Sequence, residues 1–472
     1  MYITTSKYKV MKKIFILILL PVFLSLVSCE KFIEGWDESP NTPTESTVQM
    51  LLSVSEVSTF MYYTGQLTRT PSVFIQQCAG TDFHMIDIRN YTLLEGDNVN
   101  EWEGLYSNCL INEQLIIDTY GTENPYYAGM AKILKALSLG LLTDLWGDVP
   151  NREALQGLTG VSAVELNPHF DPQETVLQDI QALLSAGIAD LSRPAGDNIL
   201  LPGADDYIFG GDPAAWINTA WMLKARYANR LSKRDATGSA GDALEFLSNV
   251  DPGMPDCMAI HGEESNEQNQ WFAFQQQRGN YMQMGEFFIE LLKSIDDPRL
   301  PFYALPNLEG EYVGTASTES GTNTSDWGPY AGIVSETNLP LVTYFEAKFI
   351  EAEANLRLNN TAEAATAFNE AVAASVLKVT GAPDPAFEAI YANETGASIT
   401  LEKIMTQKYI AMFTQPEAWA DWRRTNFPTL VPNPDGDVAG IPRRFPTCRS
   451  ERNYNTNAIV ITDILTPVWW DE

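Results

Sequence analysis

Apolar side chains recur every three or four residues along several long stretches, a spacing that places them on one face of an α-helix. Tyr127, Met130, Leu134, Leu137, Leu141 and Leu145 form the longest run, which Gly147 stops and Pro150 keeps from resuming. A second run starts where Asp212 can cap and Pro213 fits the first helical position. It continues through Trp216, Ala220, Leu223, Tyr227 and Leu231, with Lys224, Arg226 and Arg230 on the other face. A third joins Leu341, Phe345, Phe349, Ala352 and Leu356, breaks at Asn359-Asn360, and is followed by Ala364, Phe368 and Ala371. Small residues such as Ala347, Ala354, Ala364 and Ala367 let two antiparallel helices approach closely. Further helices are expected over 48–66, 69–79, 98–118, 172–191, 285–294 and 400–414. Alternating strand patterns are scarce, so the expected fold is mainly α.

The connections are long and polar, chiefly 194–211, 251–284, 303–339 and 431–466, where a plain bundle uses two to eight residues. Long loops on a rigid helical frame are where binding usually resides. With 472 residues, 45% of them apolar, the chain can bury a substantial core. Against 30 Lys and Arg stand 61 Asp and Glu, a net charge of -31 that repels nucleic acid. The three histidines, His84, His169 and His261, lie far apart, which disfavours triads and multi-His metal sites. No cofactor or metal is expected: Asn433-Pro434-Asp435-Gly436-Asp437 has oxygens at alternate positions but lacks the later bidentate Glu, and reads as a turn. Cys78, Cys109, Cys257 and Cys448 have no CxxC spacing and read as free or incidentally paired thiols.

The N-terminus has the form of a sorting signal. Starting at Met1 or at Met11, it carries Lys12 and Lys13, an apolar stretch Ile14 to Val27 interrupted by Pro21, and Ser28-Cys29. Leu26-Val27-Ser28-Cys29 resembles a bacterial lipobox, so residues 1–28 are expected to leave as a signal peptide and Cys29 to be acylated. Lys7, Lys9, Lys12 and Lys13 would leave with it, taking the charge balance to -35. Residues 29–47, with Pro40, Asn41, Pro43 and Thr44, then read as an extended tether, and 48–472 as a single domain. Acyl chains fix a protein to a membrane with no spanning helix.

Several segments taken together resemble the SusD/RagB family of outer-membrane nutrient-binding lipoproteins, in its SusD-like branch. They are the lipobox, Asn41-x-Pro43-Thr44, Thr143-Asp144-Leu145-Trp146-Gly147-Asp148-Val149-Pro150, Gly211-Asp212 before Trp216, and Asp297-Pro298-Arg299-Leu300-Pro301. Farther on come AKFIEAEA at 347–354, Gln407-Lys408-Tyr409, Trp419-x-Asp421-Trp422-Arg423-Arg424-Thr425, and Pro442-Arg443-Arg444-Phe445-Pro446 followed by Glu451 and Asn453. The resemblance implies a TPR-like array of helix pairs packed against a loop-rich ligand-binding side. It also implies an outer-membrane, surface-exposed location and a SusC-like TonB-dependent transporter as partner. Ala364-x-x-x-Phe368 by itself fits part of a TPR repeat.

Trp419, Trp422, Arg423 and Arg424 are expected just after a helix end, where a guanidinium stacks on indole or pairs with Asp421 or Glu417. Trp146 reads as a core residue and Asp148 as bonding backbone amides in the turn that follows. Arg299 and the glutamates Glu346, Glu351 and Glu353 are candidates for carboxylate–guanidinium pairing. A saccharide offers C–H faces and a hydroxyl edge, and so calls for flat apolar surfaces beside polar groups. Three segments have that composition. The first holds His84, Asp87, Arg89, Asn90 and Tyr91 with Asn98, Asn100 and Trp102. The second holds Asn269, Gln270 and Trp271 with Arg278, Asn280 and Tyr281, and the third Asp326, Trp327 and Tyr330. The resemblance favours the first and third; for any one of these tryptophans, anchoring its loop in the core is the competing role. The function expected is capture of an oligosaccharide, or else a peptide, and its delivery to the transporter with no catalytic residue. The alternatives are a cell-surface glycoside hydrolase with two carboxylates and a TPR-type scaffold.

Overall fold

Gly147 and Gly381, both with positive φ, end two of the longest helices, and Asp212, Asn269, Thr343, Asp384 and Thr400 cap the starts of others through their side chains. The computed structural model describes residues 46–155 and 167–472. The signal peptide 1–28 and all but the last two residues of the tether lie outside the described residues. Val48–Glu472 forms one compact unit.

The helices used below are α1 (Val48–Thr64), α2 (Gln66–Phe74), α3 (His84–Arg89), α4 (Val99–Gly104, continued through wider turns to Tyr120), α5 (Pro125–Trp146), α6 (Gln173–Leu191), α7 (Pro213–Asn229) and α8 (Gly238–Leu247). They continue with α9 (Gln270–Gln277), α10 (Glu286–Ser294), α11 (Tyr344–Arg357), α12 (Thr361–Thr380), α13 (Leu401–Ala411) and α14 (Glu417–Thr425). The fold is mainly helical, as the periodicity predicts, and α5 packs on α6, α7 on α8 and α11 on α12 as TPR-like pairs. Gly129 and Gly187 make the first pairing close: a Cβ on Gly129 would stand 2.6 Å from Leu191 Cγ and 3.0 Å from the Gly187 carbonyl oxygen. Among the described residues, strand is confined to two antiparallel ribbons, β1 (Cys78–Gly80) with β3 (Met282–Met284) and β2 (Cys257–Ala259) with β4 (Leu339–Val342). The four described cysteines are free and buried.

The face of α7 opposite its apolar run carries Arg226 and Arg230, and both are fully buried. Arg226 donates to both carboxylate oxygens of Glu346 at 2.7 and 2.6 Å, to the Tyr63 hydroxyl at 2.9 Å and to the Leu341 carbonyl at 2.7 Å. Arg230 pairs with Asp144 at 2.8 Å and with Glu417. Arg424 pairs with Glu353 at 2.6 Å and Asp421 at 2.7 Å, and Lys408 with Asp421 at 2.6 Å. Helices α5, α7, α11, α13 and α14 thus share one buried ion network. Burial opposes a charged Glu353, yet the charge and hydrogen bonds of Arg424 outweigh it and hold the carboxyl at about 2.

Trp419 to Arg424 differ from expectation, forming α14 itself instead of a loop after a helix. The helix packs these residues inward: Arg423 lies 3.8 Å from the Trp419 ring centroid and 4.6 Å from that of Trp470, and donates to the Asp144 and Arg443 carbonyls at 2.7 and 2.9 Å. The Arg443 guanidinium lies 5.6 Å from the Trp422 ring. Trp419 Nε1 donates to Pro442 and Trp146 Nε1 to Pro446, both at 3.0 Å, which ties the 442–446 segment to the end of α5. Asp148 accepts not from the next turn but from the Gln173 amide at 2.8 Å, supplying α6 with a remote cap that Pro172 cannot give. Trp216 is buried with Nε1 donating to Asp206 at 2.8 Å, and Asp212 caps α7 by accepting from the Ala214 amide at 2.9 Å. Arg299 is buried against Asp297, with bonds to Ser375 and Gln407 at 2.9 and 2.8 Å.

Two predictions follow from these buried charges. Arg424→Ala takes from buried Glu353 its closest cation and leaves Asp421 with Lys408 alone, and is expected to cost about 3–5 kcal/mol, read from urea unfolding; a loss below about 1 kcal/mol would contradict the network. Burial pushes the Glu113 carboxyl up to about 8, with Ser138 donating to it at 2.9 Å. The native state therefore holds a proton that the unfolded chain has released, and stability falls as pH rises from about 5 to 8. Glu113→Gln is expected to flatten that slope and raise the melting temperature at pH 8.

Candidate functional site

Pairing of β1 with β3 sets Gly80 opposite Met282 and so brings the chain just beyond one strand beside the chain just before the other. Gly80 is required there, because a Cβ would lie 1.7 Å from the Met85 carbonyl oxygen. The Thr81 amide donates to the Tyr281 carbonyl at 2.8 Å. Past this clamp, Phe83 and Tyr281 stack with ring centroids 4.8 Å apart and planes 19° apart. Phe83 is 64% exposed and has φ 45°, and Asn280 beside its partner has φ 68°. A bulky residue held exposed in a backbone region that suits glycine is a mark of a functional surface.

Next to this pair opens a cleft of about 470 Å³ between α2, α3 and α9. Gln66 and Arg69 come from α2, His84 and Asp87 from α3, Gln270, Phe274 and Gln277 from α9, and Arg278 from the turn after it. Arg69 donates to the Gln270 carbonyl at 2.9 Å and lies 4.5 Å from the Phe274 ring centroid; burial lowers its pKa to about 10. Exposed Arg278 lies 5.9 Å from the Tyr281 ring. Burial, then the charges of Arg278 and Arg69, lower the His84 pKa, so at neutral pH its imidazole offers one donor and one acceptor. The cleft combines flat apolar surface, amides, a carboxylate and guanidinium groups.

The segments brought together are the first and second, not the first and third. Trp102, Trp271 and Trp327 are buried and present no stacking face. Trp271 meets Trp327 at 4.7 Å and Phe413 at 5.5 Å, while Asn269 caps α9 by accepting from the Trp271 and Phe272 amides at 3.0 and 2.8 Å. These contacts fix α9 so that its opposite side lines the cleft. Tyr330 lies behind, 5.1 Å from Tyr303, and Trp102 packs on Trp146 at 5.1 Å with Nε1 donating to Glu451 at 3.1 Å. Arg89 and Tyr91 line a separate cavity of about 560 Å³ beside β1 and α10. There the Tyr91 hydroxyl accepts from the Asn433 amide at 2.9 Å, which docks the 433–437 turn. Sequence reasoning missed Phe83, which sits between Asp82 and His84 and was passed over in a search keyed to Trp and Tyr.

A sequence model of the SusD-like family, described as starch-binding and associating with the outer membrane, matches residues 40–446. The chain belongs to the SusD/RagB family. Among solved structures it is similar to a chitin-binding protein, at 24% identity and TM-score 0.75, covering 90% of this chain and 100% of that one. A SusD/RagB family protein from Bacteroides thetaiotaomicron is 22% identical with TM-score 0.73, over 90% and 99% of the two chains. A chitin-binding SusD homolog from Flavobacterium johnsoniae is 20% identical with TM-score 0.75, over 90% and 98%. No curated protein matches the chain.

The two kinds of aromatic residue separate in one experiment. Trp271→Ala is expected to lower stability by about 3–5 kcal/mol as a core truncation. Phe83→Gly, which removes an exposed ring and relieves a positive φ, is expected to leave the melting temperature unchanged or higher; a large drop would make Phe83 a packing residue.

Proposed function

We propose that this protein captures an oligosaccharide at the outer-membrane surface and passes it to a SusC-like TonB-dependent transporter, without chemistry on the ligand. The observation that carries this reading is the exposed Phe83–Tyr281 stack at the cleft, beside Arg278, Asp87 and His84. The aromatic faces receive the C–H surface of a sugar ring, and the charged and amide groups receive its hydroxyl edge. The description of the family as starch-binding, and the chitin-binding names of two similar structures, support a glycan over a peptide. Among the described residues no helix is long and apolar enough to cross a membrane. We assign attachment to acylation of Cys29, with residues 29–47 as the tether of a single binding domain.

The test is calorimetry on the purified lipoprotein with maltooligosaccharides, chitooligosaccharides and a mixed peptide pool. Saturable glycan binding is expected, weakened about tenfold or more by Phe83→Ala or Arg278→Ala, about 1.4 kcal/mol, and the glycan is expected to be recovered uncleaved. Peptide binding alone, or glycan binding indifferent to both substitutions, would overturn the assignment. Shortened glycan products would favour a hydrolase.

A further inference from the structure

Helix α1, which leads into the cleft, carries an apolar surface of its own. Val54, Val57 and Met61, spaced three and four residues apart, are 48%, 48% and 40% exposed. Tyr207 and Ile260, also exposed, join Val57 and Met61 around a groove of about 460 Å³. The facing segment is held in place: Ser53 Oγ donates to the Asp205 carbonyl at 2.9 Å, and the Tyr207 amide to Glu56 at 2.8 Å. Contiguous exposed apolar side chains of this kind on a chain of net charge -31 mark a contact surface.

Three observations identify the occupant. Gln270 lines both this groove and the ligand cleft, so whatever sits in the groove stands beside captured ligand. Helix α1 follows directly on the proposed tether, whose nineteen residues 29–47 reach at most roughly 65 Å from the acylated end, which sets the limit on how far the groove can stand from the membrane. The groove is edged by exposed Glu267, on a chain whose net charge is -31. An acidic edge opposes a second copy of the same chain, which would place like charges together across a two-fold axis, and it opposes anionic headgroups.

We infer that the groove formed by Val57, Met61, Tyr207 and Ile260 is the docking site of the transporter, which inserts an apolar extracellular segment flanked by lysine or arginine. The inference rests on the transport function proposed above and adds the surface that contacts the partner. Docked there, the transporter meets the ligand at the Gln270 end of the cleft and receives it without the lipoprotein having to turn over.

The test uses the full-length lipoprotein in native outer membranes. A photo-crosslinking residue at Val57 is expected to capture a TonB-dependent barrel, identified by mass spectrometry, while the same residue at exposed Ile390 captures none. Val57→Asp combined with Met61→Asp is expected to reduce co-purified transporter at least tenfold and leave glycan affinity within twofold. Wild-type recovery of transporter by that variant, or crosslinking from Ile390 and not from Val57, overturns the docking site while the capture function stands. A crosslink to a second copy of the chain overturns it in favour of self-association. A wild-type protein that binds glycan but never recovers a transporter by either route removes the transport reading itself.

Discussion

Arg226, Arg230 and Arg424 sit where five helices converge, and the architecture depends on the carboxylates that meet them there. Desolvating a guanidinium is costly, and the cost is offset by well-placed carboxylate oxygens. Glu346, Glu353, Glu417, Asp421 and Asp144 supply those oxygens from α5, α11 and α14. Apolar packing tolerates small slips between helices, whereas forked carboxylate contacts do not. The network therefore sets the register of helices far apart in sequence, and Arg226 reaches β4 as well through the Leu341 carbonyl.

This frame is separate from the surface proposed to meet a ligand. The frame ends at buried tryptophans: Trp271 and Trp327 hold α9, and Trp146 and Trp419 hold the 442–446 segment. The proposed ligand surface begins on the other side of α9 and past the end of the short β1–β3 ribbon. Large aromatic residues serve both regions, but their exposure differs completely, with Trp271 inside and Phe83 outside.

How far the sequence discloses this arrangement depends on the range of the contacts involved. Helices were legible because periodicity and caps are local. The expected helix over 172–191 is observed as Gln173–Leu191, and that over 400–414 as Leu401–Ala411. The burial of Arg226 and Arg230 was not legible, because charge within one helix says nothing about carboxylates on another. The cleft was legible only in parts: His84, Asp87, Gln270, Arg278 and Tyr281 stand in segments whose composition suits a sugar, but they lie nearly two hundred residues apart. The pairing of two three-residue strands, with contacts such as Arg69 to Gln270, joins them, and strands so short leave almost no periodic signal.

The four buried cysteines give the fold a chemical consequence of a different kind. Burial pushes the Cys78 thiol up to about 12, and Cys109, Cys257 and Cys448 are likewise raised by burial, so at neutral pH none is a nucleophilic thiolate. These four thiols are therefore expected to react only slowly with alkylating reagents and mild oxidants in the native state. Cys78 lies in β1, Cys257 in β2, Cys109 within the extension of α4, and Cys448 near the C-terminal segment held by Trp146. Because the four positions sample both ribbons, the helical frame and the closing segment, the order in which they become reactive reports which part of the molecule opens first.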